Sequence, residues 1–292
     1  MNAVKEKAYS KINLFLDVTA KREDGFHDVV TVMHSLSLSD DITVSAAPGG
    51  GHIRIFVEGN KRLPTDSKNL AYLAAKVFMD TAGIKSDITI KLNKKIPVSA
   101  GLAGGSSDAA AVLRAMNKLF KRPLTDKLLL DVAARLGSDV PFCLIGGTAL
   151  CFGRGEKIER LPSKLKLHCV VAIGDEHVST PVAYAALDKL YSDFDGTVTT
   201  KVGTCREDIL YSVKQGQIKS GIFNIFEDAV LPICPVAAGI KDKMYELGAS
   251  HALMSGSGPS VYGIFENEDA ARAATLSLTE CGVNAYYSFS AY

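Results

Sequence analysis

The sequence has no charge excess of either sign and no apolar run long enough to cross a bilayer. Across its 292 residues, 33 lysines and arginines nearly balance 32 aspartates and glutamates, and the net charge is +1. Nucleic-acid-binding surfaces usually need a clustered basic excess, so this balance argues against such a partner. The N-terminal segment of the sequence contains no apolar stretch of the kind that is typical of a signal peptide. We therefore expect a cytoplasmic protein that binds neither nucleic acid nor a membrane.

C-x-x-C pairs are absent as well. Most of the six cysteines lie in apolar runs; they are Cys143, Cys151, Cys169, Cys205, Cys234 and Cys281. This pattern predicts small buried side chains in a reducing compartment, and it argues against a catalytic thiol or a zinc site. The hydrophobic content of 47% and the charged content of 22% are typical of a globular protein, and the length allows two domains.

A glycine-rich segment stands out at residues 97–107, which read Pro-Val-Ser-Ala-Gly-Leu-Ala-Gly-Gly-Ser-Ser. It lies between a predicted strand at 87–92 and a predicted helix at 109–120. A glycine-rich turn before a helix presents backbone N–H groups and the positive end of the helix dipole, and both favour a phosphate. Ser106 and Ser107 either cap the helix or offer hydroxyls to a phosphate or its metal ion.

The segment differs from two familiar nucleotide-binding motifs. It lacks the G-x-x-x-x-G-K-[ST] pattern, and no acidic residue follows at the spacing of a Rossmann fingerprint. The glycines alone would suit a flexible turn, but four turn-forming residues directly before a long apolar-faced helix favour a phosphate site. Asp108 opposes this interpretation unless its side chain points away, because a carboxylate in the first helical turn repels a phosphate.

The N-terminal segment 8–18 alternates in the manner of a strand. Ile12 and Leu14 lie on one face, and Lys11 and Asn13 lie on the other. A lysine and an asparagine on one face suit the lining of a cleft. The pattern by itself favours an edge strand with a solvated face.

The order of the predicted elements indicates two halves. In the first half we predict strands at 28–38, 41–45 and 52–57, and helices at 69–82 and 125–136. In the second half we predict strands at 167–173, 252–254, 261–265 and 284–288, and helices at 226–247 and 268–281. The second series resembles an α+β ferredoxin-like unit, so we expect domains at 1–160 and 161–292.

Three separated motifs resemble those of the GHMP kinase superfamily. They are Ala-Tyr-Ser-Lys-Ile-Asn-Leu at 8–14, the glycine-rich segment continued to residue 110, and Met-Ser-Gly-Ser-Gly-Pro-Ser at 254–260. Within the superfamily, Arg-Glu-Asp-Gly-Phe-His at 22–27 and Gly-Ser-Asp-Val-Pro-Phe at 137–142 resemble the kinases of 4-diphosphocytidyl-2-C-methyl-D-erythritol. The resemblance implies a two-domain α+β fold, with a ribosomal protein S5 domain 2-like N-terminal half and a ferredoxin-like C-terminal half.

The resemblance also implies a reaction and roles for particular residues. ATP, accompanied by Mg²⁺, would phosphorylate the 2-hydroxyl of the cytidine substrate (CDP-methylerythritol). Asp139 would take the hydroxyl proton, and Lys11 would hold that carboxylate and offset charge on the migrating phosphoryl group. Asn13 would bind the erythritol hydroxyls, Phe26 would stack on cytosine, and His27 would read the edge of the base. From the residues alone, Asp139 is more readily interpreted as a helix or turn cap.

The remaining binding residues follow from the same resemblance. The ATP phosphates are assigned to Pro97, Val98, Ser99, Ala100, Gly101, Leu102, Ala103, Gly104, Gly105, Ser106 and Ser107, and the surroundings of adenine to Asn69, Lys94 and Lys95. Thr180 is a further substrate-side candidate, as is Tyr184, which could close the cytosine stack opposite Phe26. The family usually carries tyrosine where this chain has Phe26, so the aromatic face is kept and a hydroxyl is lost. The sequence indicates no metal ligand.

Two alternatives are open at this stage. Another kinase of the superfamily, acting on homoserine or mevalonate, would share the glycine-rich motifs. Such a kinase has no cytidine to stack, so the segment Asp-Gly-Phe-His at 24–27 favours the cytidine substrate. A nucleic-acid-binding module is the other alternative, because the N-terminal half resembles a domain of ribosomal proteins. The near-neutral charge argues against it.

Overall fold

The computed structural model describes residues 2–60, 62–176, 178–191 and 200–292. The chain forms two compact units, which contain the described residues of 1–10, 39–98 and 103–146, and of 11–38, 99–102 and 147–292. This division differs from the expected boundary at residue 160. Strand β1 (Ala3–Lys21) and strand β2 (His27–Ala47) are long enough for each to contribute to both units. The two strands predicted at 28–38 and 41–45 are therefore one.

The first unit combines strands with four helices. These elements are β3 (Ile53–Glu58), α1 (Leu70–Ala82), β4 (Asp87–Asn93), α2 (Gly104–Leu119), α3 (Asp126–Leu136) and α4 (Val140–Ile145). The C-terminal part of β2 pairs with β4 in antiparallel fashion, and β3 pairs with β4 in parallel. Helices α1 and α2 pack together, and both carry fully buried alanines and larger apolar side chains, among them Ala74, Phe78 and Leu113. Small side chains allow this close packing.

The helix boundaries in this unit follow from local chemistry. Thr125 accepts a hydrogen bond from the backbone N–H of Leu128 at 3.3 Å and caps α3, as predicted. Asn69 caps α1 in the same way through Ala71, and Gly83 ends that helix in the left-handed region at φ 64°.

The second unit contains a sheet with ferredoxin-like order. Its elements are β5 (Thr148–Phe152), β6 (Lys157–Arg160), β7 (His168–Ile173), α5 (Thr180–Leu190), α6 (Thr200–Gln215), β8 (Phe223–Asn224), α7 (Phe226–Val230), α8 (Pro235–Glu246), β9 (His251–Met254), β10 (Val261–Phe265), α9 (Glu268–Glu280) and β11 (Asn284–Phe289). Four antiparallel strands follow the order β11-β7-β10-β9. The predicted ferredoxin-like arrangement is confirmed for this sheet.

One predicted helix is wrong in extent. Residues 226–247 form α7, a short 3₁₀ helix at Leu231–Ile233 and then α8, rather than one continuous helix. Pro232 and Pro235 interrupt it, because proline has no N–H to donate and its ring clashes with the preceding turn.

The predicted solvated face of the N-terminal strand is also wrong. Lys11 and Asn13 are 3% and 2% exposed, and Ile12 and Leu14 on the opposite face are fully buried. In the second unit β1 pairs in parallel with β8, with Phe15 opposite Phe223, so the strand is not a free edge. The polar face of β1 is therefore interior, as the cleft alternative requires.

The expectation that the cysteines are buried holds for most of them. Four of the cysteines are buried as predicted, whereas Cys205 is partly exposed and Cys281 is exposed after the end of α9. Among the residues that the structure describes, no helix is both long and apolar enough to cross a membrane.

Candidate active site

The glycine-rich segment is a tight turn that leads directly into α2. Ser99, Gly101 and Ala103 have positive φ values of 56°, 70° and 56°. A Cβ atom at position 101 would lie 2.1 Å from the carbonyl oxygen of Ser255, so this position requires glycine. No described side chain caps the first turn of α2, which begins at Gly104. Its backbone N–H groups have the arrangement that an anion site needs.

The two serines of this segment differ in their surroundings. Ser107 is buried, and its hydroxyl lies 2.6 Å from the carbonyl oxygen of Tyr9 and 2.9 Å from that of Ala103. Ser106 is half-buried in the first turn of the helix. Neither serine caps α2, which excludes the capping alternative. Ser106 has the better placement for a phosphate oxygen, because the Ser107 hydroxyl binds backbone carbonyl groups.

Asp108 points away from the turn and into the first unit. Its Oδ2 lies 2.7 Å from Nζ of Lys94, and the same Nζ lies 2.5 Å from Oδ2 of Asp40. All three side chains are buried. Burial raises the pKa of Asp108 well above its ordinary value and so favours the neutral carboxyl. The objection that Asp108 would repel a phosphate is thereby met.

Asn69 and Lys95, both assigned to the adenine surroundings, have different environments. The Oδ1 of Asn69 accepts from the backbone N–H of Ala71 at 2.9 Å, and its Nδ2 donates to the carbonyl of Pro64 at 2.8 Å. Lys95 is exposed, and its Nζ lies 2.8 Å from Oδ2 of Asp41. Asn69 thus supports the start of α1, whereas Lys95 keeps its ammonium at the surface of the first unit.

Asp139 directly precedes the short helix α4. Its backbone has φ −83° and ψ −14°, and its side chain is half-buried. The carboxylate makes no capping hydrogen bond to α4. The alternative that Asp139 is a helix cap therefore finds no support in the geometry.

Lys11 is held in the second unit beside the glycine-rich turn. Its Nζ donates to Oδ1 of Asn13 at 2.6 Å and to the carbonyl of Gly101 at 2.7 Å. Asn13 in turn donates from Nδ2 to Oγ1 of Thr31 at 2.8 Å. A Cβ atom on Gly256 would come within 3.3 Å of the ammonium. Lys11 and Asn13, predicted as neighbours on one strand face, are thus brought into direct contact.

The third glycine-rich motif holds the segment 99–102 through its serines. Ser255 donates from Oγ to the carbonyl of Gly101 at 3.1 Å, and Ser260 donates from Oγ to the carbonyl of Ala100. Both acceptors are backbone atoms. These serines therefore fix the path of the turn rather than present hydroxyl groups to a ligand.

Asn224 supports the same motif, a role that the sequence did not suggest. Its Nδ2 donates to the carbonyls of Met254 and Gly256 at 2.8 and 2.9 Å, and its Oδ1 accepts from the N–H of Phe226 at 3.0 Å. The sequence feature that could have indicated this role is an asparagine directly before an apolar helix start. Its partners lie about thirty residues further along the chain, where no local pattern reaches.

Phe26 and His27 are adjacent in the chain but differ in environment. Phe26 is 53% exposed, and the guanidinium carbon of Arg154 lies 4.9 Å from its ring centroid. His27 is buried, with its Nε2 2.7 Å from Oδ1 of Asp188. The Nζ of Lys21 lies 2.6 Å from the other oxygen of that carboxylate. The sequence did not identify Arg154 or Asp188.

Tyr184 and Thr180 lie on α5. The ring of Tyr184 stacks on that of His27 with centroids 4.6 Å apart, and it meets Phe226 edge-on at 4.8 Å. Tyr184 therefore supports the ring of His27 in this structure. Thr180 begins α5, and its Oγ1 lies 3.0 Å from Oγ of Ser257 in the third glycine-rich motif.

The described residues contain no group of three or more histidine, cysteine, aspartate or glutamate side chains arranged to hold a metal ion. Mg²⁺ in phosphoryl-transfer enzymes usually keeps several waters and is bound by substrate phosphates with one or two carboxylates.

Family models match two regions of the chain. The model described as "GHMP kinases N terminal domain" matches residues 69–147, and the model described as "GHMP kinases C terminal" matches residues 214–284. The first region contains the glycine-rich turn and Asp139, and the second contains the third glycine-rich motif.

Curated relatives agree with the chain over most of its length. A 4-diphosphocytidyl-2-C-methyl-D-erythritol kinase from Caldicellulosiruptor saccharolyticus is 41% identical over 272 residues, which cover 92% of this chain and 90% of the relative. A protein of the same name from Exiguobacterium sibiricum is 43% identical over 266 residues, which cover 91% and 90%.

Solved structures give the same result for the fold. A crystal structure of 4-(cytidine 5'-diphospho)-2C-methyl-D-erythritol kinase has a TM-score of 0.79 at 32% identity and covers 98% of each chain. Homoserine kinase from Cytophaga hutchinsonii has a TM-score of 0.74 at 20% identity, with 99% of this chain and 95% of that chain covered. The second likeness concerns the fold alone. The two-domain α+β fold expected from the three motifs is confirmed.

Proposed function

We propose that this chain, which belongs to the GHMP kinases, transfers the γ-phosphate of ATP to the 2-hydroxyl of 4-diphosphocytidyl-2-C-methyl-D-erythritol. The reaction is a step of the non-mevalonate route to isoprenoid precursors, and we place it in the cytoplasm. The observation that carries the proposal is the 41% identity, over 92% of the chain, to a kinase of that name. The chemistry of the individual residues supports it.

The phosphates of ATP bind at the glycine-rich turn. The first turn of α2 offers backbone N–H groups without a capping side chain, and Gly105 is exposed there. Helix α2 is 16 residues long, so its dipole adds a positive potential at this end. The half-buried hydroxyl of Ser106 is a further donor to a phosphate oxygen. A Mg²⁺ ion bound with the nucleotide would supply charge neutralisation on the phosphates.

Phosphoryl transfer needs a positioned base and a cation near the migrating group. The oxygen of the acceptor hydroxyl forms a bond to the γ-phosphorus, the bond from that phosphorus to its bridging oxygen breaks, and ADP leaves. We assign Asp139 as the group that accepts the hydroxyl proton. Lys11 offsets negative charge on the transferred phosphoryl group, a role supported by its ammonium 2.7 Å from the carbonyl of Gly101 in the turn.

The acceptor is recognised by side chains of the second unit. Asn13 binds the erythritol hydroxyls, and Phe26 stacks on cytosine with its exposed face. His27 reads the edge of the base, and its ring orientation is fixed by Asp188 and by stacking on Tyr184. Thr180 contributes a hydroxyl group on the substrate side.

A coupled ADP-release assay with three acceptors tests this proposal. We expect turnover with the cytidine substrate at least one hundredfold faster than with homoserine or mevalonate, and a product one phosphate heavier by mass spectrometry. Faster turnover with homoserine or mevalonate would assign the chain to a different activity within the superfamily.

A further inference from the structure

A buried cluster of three charged side chains lies directly behind the start of α2. We call Asp40, Lys94 and Asp108 the Asp40–Lys94–Asp108 cluster. Asp40 lies on β2, Lys94 immediately follows β4, and Asp108 lies in the first two turns of α2. The ammonium of Lys94 bridges the two carboxyls at 2.5 and 2.7 Å. It therefore joins three separate elements of the first unit at one point.

The cluster also contacts the backbone, both in the segment before the glycine-rich turn and at the first residue of α2. The Oδ1 of Asp40 accepts from the backbone N–H groups of Lys95 and Ile96, which lead from β4 towards the glycine-rich turn. A Cβ atom on Gly104 would lie only 2.9 Å from Nζ of Lys94. The ammonium thus packs against the first residue of α2, and glycine leaves the space for it.

The hydrogen bonds of the cluster are made in the interior. Asp40 accepts three of them, one from the ammonium of Lys94 and two from backbone N–H groups. Burial raises the pKa of Asp108 and favours its neutral form, and its Oδ1 has no hydrogen-bond partner among the described residues. A neutral Asp108 adds no negative charge behind the N–H groups that face a phosphate.

We propose that Lys94 is a positioning residue for ATP: bridged to Asp40 and Asp108, it fixes the first turn of α2 so that the backbone N–H groups of this turn are preorganised for the phosphates. The inference rests on the proposed ATP site at this turn and does not depend on which alcohol is phosphorylated. It replaces the expectation that Lys94 contacts the adenine. The ammonium of Lys94 is buried between two carboxyl groups, so it makes its contacts within the protein and not with the adenine.

The test is the dissociation constant for ATP, measured by calorimetry on the full chain without any acceptor. Lys94→Met removes the bridge and leaves Asp40 without its counter-charge, and we expect ATP to bind at least tenfold more weakly. Affinity for GTP, measured by competition, should fall by the same factor. The lost Lys94 bridge affects the turn that binds the phosphates, and GTP and ATP have the same phosphates. A loss confined to ATP would mean that Lys94 reads the adenine, and the proposal would be overturned.

Two further variants complete the test. In Lys94→Met/Asp40→Asn both members of the buried ion pair become uncharged, so no buried carboxylate is left without its counter-charge, and the amide oxygen can still accept from the backbone N–H groups of Lys95 and Ile96. We expect this variant to fold, with an unchanged far-ultraviolet circular dichroism spectrum, and still to bind ATP weakly. Wild-type affinity in this variant would overturn the proposal, since packing alone would then suffice. Lys118→Met removes an exposed ion pair with Glu6 from the last turn of α2 and should leave ATP affinity within twofold.

Discussion

The guanidinium of Arg154 lies over the ring of Phe26, 4.9 Å from the ring centroid, at an aromatic side chain that is half exposed. Gly25, with φ 82°, turns the chain just before this ring. A cation on one face of an aromatic ring leaves the opposite face for a flat ligand. Phe26 thus has the form of a stacking platform, and its exposure does not suggest a core packing role.

Replacement of Phe26 by alanine should weaken binding of the cytidine substrate. Stacking of a base on an aromatic ring contributes roughly 1–3 kcal/mol, and about 1.4 kcal/mol corresponds to a tenfold change. We therefore expect the KM for this substrate to rise about tenfold or more, while the KM for ATP barely changes. Phe26→Tyr should be nearly neutral. Steady-state kinetics with each substrate varied in turn gives the answer, and an equal loss for both substrates would make Phe26 a packing residue.

Replacement of Arg154 by methionine should have a smaller effect in the same direction. An exposed cation–π contact contributes about 0.5–1 kcal/mol, which corresponds to a roughly two- to fivefold rise in the KM for the cytidine substrate. Arg272 covers the ring of Tyr287 at 4.3 Å and offers a matched control. An equal rise in Arg272→Met would show that the effect is general and does not arise at Phe26.

Asp139→Asn should nearly abolish turnover and leave ATP affinity almost unchanged. The amide has the shape of the carboxylate but cannot accept the hydroxyl proton, and a positioned base contributes on the order of 10²–10⁴-fold. The side chain does not cap α4, so the substitution should not unfold that helix. Single-turnover rates and ATP titrations on the same preparation separate the two effects. Turnover like that of the wild type would remove Asp139 from the mechanism.

Lys11→Ala should also lower turnover by at least one hundredfold, because it removes the cation that the transferred group requires. Lys11→Arg should not restore it. A planar guanidinium is larger than an ammonium, and the ammonium already lies 2.6 Å from Oδ1 of Asn13 and 2.7 Å from the carbonyl of Gly101, while a Cβ atom on Gly256 would lie 3.3 Å from it. Recovery of full activity in the arginine variant would show that any nearby positive charge is sufficient.

Local patterns predicted the parts of this fold that depend on local chemistry. Alternation along 8–18 predicted a strand, Thr125 marked the start of α3, and the order of elements after residue 165 predicted the ferredoxin-like sheet. Each of these rests on neighbours within a few residues. Local patterns gave a wrong result for the helix predicted at 226–247. Helical periodicity continues across Pro232, but the structure interrupts the helix there.

The candidate site was less predictable, because its decisive contacts join distant segments. Asp40 is 54 residues from Lys94 in sequence, and Asp188 is 161 residues from His27. From the sequence, a lysine beside a glycine-rich turn therefore indicates a nucleotide contact, although two buried carboxyls bind Lys94. The environments of the two adjacent lysines, one buried and one exposed, could not be distinguished without the pairing of β2 with β4.

A pH-dependent contribution to stability is expected from Asp17 on β1. Burial raises its pKa to about 6, and its Oδ1 has no hydrogen-bond partner among the residues described. In the unfolded chain an aspartate titrates near 3.9, so the folded state binds this proton more tightly. The stabilisation from the neutral carboxyl is thus present at pH 4 and is lost as the pH rises through about 6. Asp17→Asn should then raise Tm by a few degrees at pH 8 and change it little at pH 4.

Calorimetric melting of wild type and variant at both pH values measures this effect as a difference, so that titrations common to both proteins cancel. Asp131→Asn, an exposed substitution on α3, is the matched control and should leave Tm unchanged at either pH. A lower Tm for Asp17→Asn than for the wild type at pH 8 would contradict the prediction. It would mean that the ionised carboxylate is stabilised in the folded chain, by the backbone hydrogen bond at Val18 and by the Arg206 guanidinium.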